Sequence, residues 1–282
     1  MKILSFGEVL WDVYPDNKFI GGAPFNFAAH CALQGAKSYM VSAVGSDALG
    51  NDTLKRIKDF GVNTEYVSIL SDKETGKCIV TLDKDAHPTY NLLNDVAYDY
   101  IQFPKLTGNF DVIGFGTLAL RGENNKNVMT DILNTYDFSE IFCDLNIRPP
   151  FYSKESVDFC LANATIVKIS DEELPVVSEL ALGEYSSLEK SILKLAERFP
   201  QLKLIIVTKG ALGSCCYEGK NKNFYYADAV PAKVISTVGA GDSFSAAFLV
   251  KYFNGEDFSD CLRFASEISA HVCENADAIP LN

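Results

Sequence analysis

Short apolar runs with strand character alternate with longer segments of helical periodicity along most of this chain. Lys2 to Phe6, Tyr39 to Val44, Val112 to Phe115, Ile141 to Leu145, Ile166 to Ile169 and Leu204 to Thr208 read as strands. Pro24 to Gln34, Ala48 to Phe60, Asn124 to Asn134, Glu155 to Ala162, Leu188 to Phe199, Asp242 to Phe253 and Phe258 to Val272 read as helices. Such alternation predicts an α/β fold: a central, mostly parallel sheet covered by helices on both faces. One stretch departs from it. Gly76 to Leu82 and Thr89 to Leu93 are β-rich and joined by a polar turn at 83–88 with no helix between, which predicts a hairpin outside the main alternation. No repeat, low-complexity tract or linker interrupts the 282 residues, so a single domain over 1–282 is expected.

Sheets of this kind bind ligands beyond the C-terminal ends of their strands, so functional residues should follow strands. The stretch Thr237-Val238-Gly239-Ala240-Gly241-Asp242-Ser243-Phe244 opens a run that is apolar on nearly every side. Helix N-termini expose unpaired N–H groups and partial positive charge, and small residues let an anion reach them. Asp242 in the first turn adds a proton acceptor. An anion cradle and a base on one turn are what phosphoryl transfer to an alcohol needs, although an Asp near a helix start is also a common cap.

Other post-strand segments add candidates. Asp12, in Gly7-Glu8-Val9-Leu10-Trp11-Asp12, is a short carboxylate able to accept two hydroxyl hydrogen bonds; a surface Asp in a turn would look the same. Gly22, before the helix at Pro24, permits close backbone approach, and Asn26 can both donate and accept, or serve simply near the cap. Asp144, Asn146 and Arg148 alternate along an extended segment; Arg148 could hold phosphate or sugar oxygens, or pair with Asp144. Ser170 and Glu173 form either a capping box or a carboxylate placed near a metal. Thr208, Lys209, Gly210 and Gly213 offer a small-residue loop with one cation, open to a flat base or a phosphate.

A net charge of −12 argues against a nucleic-acid surface. An anionic nucleotide would have to be held by local cations, N–H groups and metal. The eight cysteines never form a C-x-x-C pair and fit buried free thiols in a reducing compartment. No apolar stretch approaches the ~18 residues of a membrane span, and the opening strand, broken by Glu8 and Asp12, lacks a signal-segment core. A cytoplasmic protein without membrane or nucleic-acid partners is expected. No Walker A loop and no G-x-G-x-x-G fingerprint occurs, and His30, His87 and His271 are too scattered for a metal site.

These residues resemble the ribokinase-like sugar kinases of the phosphofructokinase B group, most of all its fructokinases. The N-terminal signature fits Gly21-Gly22-Ala23-Pro24-Phe25-Asn26-Phe27-Ala28 with Gly35 and Gly45, and the C-terminal one fits Gly239-Ala240-Gly241-Asp242 with Ala246 and Ala247. Gly7 to Asp12, Gly116-Thr117-Leu118-Ala119-Leu120-Arg121 and Asp144-Leu145-Asn146-Ile147-Arg148-Pro149 look like fructokinases in particular. The resemblance covers essentially the whole chain.

It implies an ATP-dependent kinase that needs Mg²⁺ and phosphorylates a sugar hydroxymethyl group, fructose to fructose 6-phosphate being the expected reaction. Asp242 matches the catalytic base, and the Gly239, Ala240 and Gly241 backbone the anion hole. Asp12, Gly22 and Asn26, joined by Arg148, match the sugar side. Ser170, Thr208, Lys209, Gly210 and Gly213 fall on the nucleotide side, and Glu173 matches an acid acting on Mg²⁺ through water. Segments 10–22 and 76–96 match a small β lid that often forms a homodimer contact.

The chain departs from the pattern at three places. Ser236 replaces an Asp that helps bind a monovalent cation, which leaves K⁺ dependence open. Ser170 replaces an Asn, and the tail Glu274-Asn275-Ala276-Asp277-Ala278 lacks a glycine. Kinases of ribose, 2-keto-3-deoxygluconate or adenosine, and a non-catalytic sugar- or nucleotide-binding protein, are the alternatives.

Overall fold

The computed structural model describes residues 1–82 and 88–280. The expected turn at 83–88 lies outside them except for Pro88. The chain runs β1 (Lys2–Phe6), β2 (Leu10–Val13), β3 (Lys18–Gly21), α1 (Ala23–Leu33), β4 (Lys37–Gly45), α2 (Ala48–Asp59) and β5 (Val62–Leu70). Next come β6 (Lys77–Leu82), β7 (Pro88–Leu92), β8 (Val112–Gly116), α3 (Glu123–Thr135), β9 (Glu140–Asp144), α4 (Lys154–Asn163), β10 (Ile166–Ser170) and α5 (Leu174–Leu182). The last are α6 (Leu188–Arg198), β11 (Leu204–Thr208), β12 (Ser214–Glu218), β13 (Asn223–Ala227), α7 (Ala240–Phe253) and α8 (Phe258–Cys273).

Among the described residues the larger sheet holds nine strands in the order β13-β12-β11-β10-β9-β8-β1-β4-β5. Pairing is parallel from β5 to β11, and β12 and β13 close one edge as an antiparallel hairpin. Ile3, Val112, Phe142, Ile166 and Ile206 pack with α1, α7 and α8. Their neighbours Leu4, Ile113, Cys143, Val167 and Ile205 pack with α3 to α6 on the opposite face. Burial on both faces is why these strands read as continuous apolar runs. From β1 the chain moves outward to β4 and β5, then returns to β8 on β1's other side. The crevice at such a reversal is where these sheets take ligands.

The expected hairpin is present and belongs to a second sheet ordered β3-β2-β6-β7. Its strands are short, and side chains root it on α2. Trp11 Nε1 donates to Thr53 Oγ1 at 2.8 Å. The Asp47 carboxylate caps α2 by accepting from Gly50 N at 2.7 Å, and it also accepts from Thr75 N at 2.9 Å just before β6. One acid thus starts a helix and fixes the root of the small sheet.

The fold also contains elements that the sequence patterns did not suggest: β5, α5, β12 and β13. β5 is an edge strand that alternates between buried and exposed residues without a Gly or Pro bound at its end. α5 carries Pro175 in its first turn, where it is tolerated, although this interrupts an otherwise apolar run. All eight cysteines are free, seven of them buried. No helix among the described residues is long and apolar enough to cross a membrane.

Candidate active site

At the crevice stands the N-terminus of α7. Gly239 caps it with φ 81°, and a Cβ there would meet Ala278 O at 2.5 Å, so only glycine fits the turn. His30 Nε2 lies 2.8 Å from the same carbonyl and ties α1 to the tail segment. Asp242 is in the first turn. Asn26 Nδ2, from α1, donates to Asp242 Oδ2 at 2.8 Å, joining the two signature segments across 216 residues. Burial pushes the Asp242 carboxyl above the ordinary range, while the Asn26 hydrogen bond and the charges of Lys168 and Arg148 pull it back.

Gly22 caps α1 with φ 110°, and a Cβ there would lie 2.6 Å from Glu8 O, so α1 can enter this close to the β1 end only on a glycine. Asp12 sits on β2 of the small sheet. Its carboxyl is raised by burial and drawn down by the Cys78 thiol and Arg148. Arg148 itself is exposed, and its charge reaches Asp12, Glu8 and Asp242. The alternative partner considered for it, Asp144, is bound by Lys168 Nζ at 2.7 Å instead. A small cavity of about 20 Å³, lined by Glu8, Pro24, Phe27, Thr117, Asn146 and Asp242 among others, lies over the ends of β1, β8 and β9.

The other candidates line up at the ends of β10 and β11. Glu173 Oε2 accepts from Ser170 N at 2.8 Å while Ser170 Oγ accepts from Glu173 N at 3.2 Å, a reciprocal capping pair. Glu173 Oε1 accepts from Ile147 N at 2.6 Å, bracing the segment after β9. Asp171 N donates to Thr208 O at 2.8 Å, so the Ser170 and Thr208 loops are tied together. Lys209 Nζ sits 5.9 Å from the Tyr226 ring centroid. Gly210 has nothing within 4 Å of a would-be Cβ, and Leu212 is 74% exposed.

Two buried charged residues at this site escaped the sequence reading. Glu8 is 2% exposed, with its Oε2 buried and without a partner. Burial raises its carboxyl to about 7, opposed by the N–H groups of Glu8 and Ala23, with Asp242 pushing it further up. Lys168 is 5% exposed. A charged residue inside an apolar strand run such as Ile166-Val167-Lys168-Ile169 was the available signal, because a charge is rarely buried without a partner. A wider cavity of about 520 Å³ lies elsewhere, beside Asp99, Tyr100, Arg121, Asn124, Phe151 and Ser153. It shares no lining residue with the Asp242 cavity.

Comparison with known proteins agrees with this fold. The sequence profile described as pfkB family carbohydrate kinase matches residues 4–282. A probable fructokinase-5 of Arabidopsis thaliana is 30% identical, over 99% of this chain and 93% of the relative. The fructokinase of Vibrio cholerae O395, solved with fructose, ADP and calcium, superimposes with a TM-score of 0.84 at 22% identity, covering 99% of this chain and 94% of that one. The aminoimidazole riboside kinase of Salmonella enterica, solved with its riboside and an ATP analogue, has the same fold, with a TM-score of 0.83 at 20% identity and 99% and 95% coverage.

Proposed function

The chain belongs to the pfkB family of carbohydrate kinases, and from that premise we propose that it transfers the γ-phosphate of ATP to the C6 hydroxyl of fructose. The observation that carries this reading is the 2.8 Å bond from Asn26 to Asp242 at the start of α7, which joins an acid, a set of helix N–H groups and a polar wall in one place. The hydroxyl oxygen attacks the γ-phosphorus, its proton passes to an Asp242 oxygen, and ADP leaves. The base need not be strong, because positioning and charge neutralisation carry most of the rate. N–H groups of Gly239, Ala240 and Gly241 take up charge on the group in flight. Asp12, Asn26, the Gly22 backbone and Arg148 hold the sugar, and the small sheet acts as the lid over it.

On the nucleotide side, Ser170, Thr208, Lys209, Gly210 and Gly213 hold ATP, with exposed Leu212, Val234 and Ile235 as apolar surface for the base. Among the described residues no three His, Cys, Asp or Glu side chains converge as a metal cage. Both Glu173 oxygens already accept backbone N–H groups. That donor set fits Mg²⁺, which Glu173 would hold through water rather than directly. Bound there, Mg²⁺ would neutralise phosphate charge. Ser236 Oγ accepts from Val238 N at 3.2 Å and brings no carboxylate to a K⁺ site. We take the cytoplasm as the compartment, supported by the eight free thiols. A homodimer through the lid is supported by Phe19, 46% exposed on the edge strand β3.

The test is ATP consumption over fructose, ribose, 2-keto-3-deoxygluconate, aminoimidazole riboside and adenosine, with and without K⁺. Fructose should give the highest kcat/KM. A higher value for any other acceptor removes the fructose assignment, and no consumption with any of them favours a non-catalytic binder.

A further inference from the structure

A buried cation lies beneath the turn that opens α7. Lys168 is the central residue of β10, in register with Asp144 on β9 and Ile206 on β11. Ile166, two residues earlier on the same side of the strand, packs with α7, so Lys168 points that way too. Its Nζ donates to Asp144 Oδ2 at 2.7 Å and lies 3.2 Å from where a Cβ on Gly241 would stand. Ser245 Oγ, one turn into α7, donates to the same carboxylate oxygen at 3.3 Å. The other oxygen, Asp144 Oδ1, is buried without a partner, and Asp144 shares the wall of the cavity that Asp242 lines.

This placement runs against helix electrostatics. The N-terminal end of a helix is its positive end, so an ammonium beside it is disfavoured, and burying the ammonium adds a desolvation cost. Asp144 offsets both, yet two apolar side chains would fill the same space without incurring either. A cation kept in such a position makes sense if negative charge arrives from outside. The α7 turn is where the proposed reaction brings it.

We propose that Lys168 is a positioning residue for phosphoryl transfer: anchored by Asp144, its ammonium keeps a fixed positive charge beneath the Gly239–Asp242 turn, where the negative oxygens of the group in flight are held. The inference rests on the kinase reading above. Lys168 touches no substrate; it acts through the field at Gly241 and Asp242. The groups that face Asp242 are Asn26 from α1, Lys168 from β10, Asp144 at the end of β9, Arg148 beyond it, and Glu8 after β1. Of the two cations, Arg148 is exposed and Lys168 buried, so solvent screens Lys168 least.

The experiment compares wild type with K168M, K168R and the neutral pair K168M/D144N. Wild-type turnover on the sugar panel comes first. If it is absent, the kinase reading fails and this proposal falls with it; if it is present, the variants test the proposal alone. K168M should lose on the order of 10²-fold in kcat, the low end for removing one pre-placed positive group, with KM for the sugar little changed. The acid limb of its pH–rate profile should move to higher pH, because the Asp242 anion has lost a stabilising charge. K168R keeps the charge and should restore the position of that limb. The double variant leaves no unpaired buried acid, so a purely structural ion pair predicts wild-type kcat there, whereas a loss that persists, smaller than that of K168M because the opposing Asp144 charge has gone as well, supports the charge. Wild-type kcat and an unmoved limb in the double variant would overturn the proposal. Failure of both neutral variants to fold, whatever K168R does, makes the pair structural and also ends it.

Discussion

The two halves of the cleft are built differently. Around Asp242 and α1, the polar groups are deep: Glu8 is 2% exposed, Asn26 4%, and both carry a buried oxygen without a partner. Around the β11 end and the approach to α7, the surface is open and apolar, with Leu212, Val234, Ile235 and Val238 between 53% and 74% exposed. Buried polar atoms that wait for a partner discriminate strongly, because a ligand lacking the matching hydroxyl leaves them unpaired. Open apolar contact selects weakly and releases easily. On our reading the acceptor half therefore sets specificity and chemistry, while the donor half holds a nucleotide common to many enzymes.

The sharpest way to break that contrast is Asp242→Asn. It keeps size and can still meet Asn26, but it cannot take the proton. Turnover should fall by at least ~10²-fold while ATP affinity, measured by titration of the binary complex, stays near wild type. Equal losses in turnover and in ATP affinity would mean that the two halves are not separable at this residue.

Glu8→Gln tests the same contrast through pH. The folded-state carboxyl stands at about 7 against an ordinary 4.5, so the native state holds its proton more tightly than the unfolded chain. Stability from this group is complete below pH 4.5 and is lost as pH rises through about 7. The loss is about 3 kcal/mol at most, from the size of the shift. Glutamine cannot ionise. The melting temperature of Glu8→Gln should therefore gain on wild type between pH 4.5 and 7 and run parallel above, whereas a gap of constant size would show that Glu8 does not titrate in that window.

What the sequence disclosed follows the same division. The α7 turn, Asn26, Gly22 and Asp12 were legible because local physics marks them: glycine where backbone must approach, an acid at a helix start, polar groups just past strand ends. Alternating strands and helices were legible because a doubly covered parallel sheet needs long apolar runs. Glu8 and Lys168 were not. Lys168 carried one local mark, a charge inside an apolar strand run, but what each residue faces lies far away in the chain, Asp242 in one case and Asp144 with Gly241 in the other, and such pairing has no local pattern. β12 and β13 were hidden for a related reason. Gly210 and Gly213 read as an open ligand loop, while the strand behind them, Ser214–Glu218, is buried by pairing with β11. The edge strand β5 shows the opposite case, an alternating pattern with no stop signal to mark it.

The smallest expected effect belongs to the open half, and its smallness is the point. Leu212 follows Gly210 and projects into solvent at 74% exposure, so nothing in the folded chain depends on its outer carbons. If an adenine ring covers about 30 Å² of it, then at roughly 25 cal/mol per Å² Leu212→Ala costs about 0.75 kcal/mol, or some threefold to fourfold in KM for ATP. The melting temperature should not move, since an exposed side chain contributes little to stability. KM for the sugar should not move either, because Asp12, Asn26 and Glu8 keep their surroundings. A shift in sugar KM as large as that in ATP KM would couple the two halves and remove the basis for treating them separately. An unchanged ATP KM would take the base away from this loop while leaving the acceptor half intact.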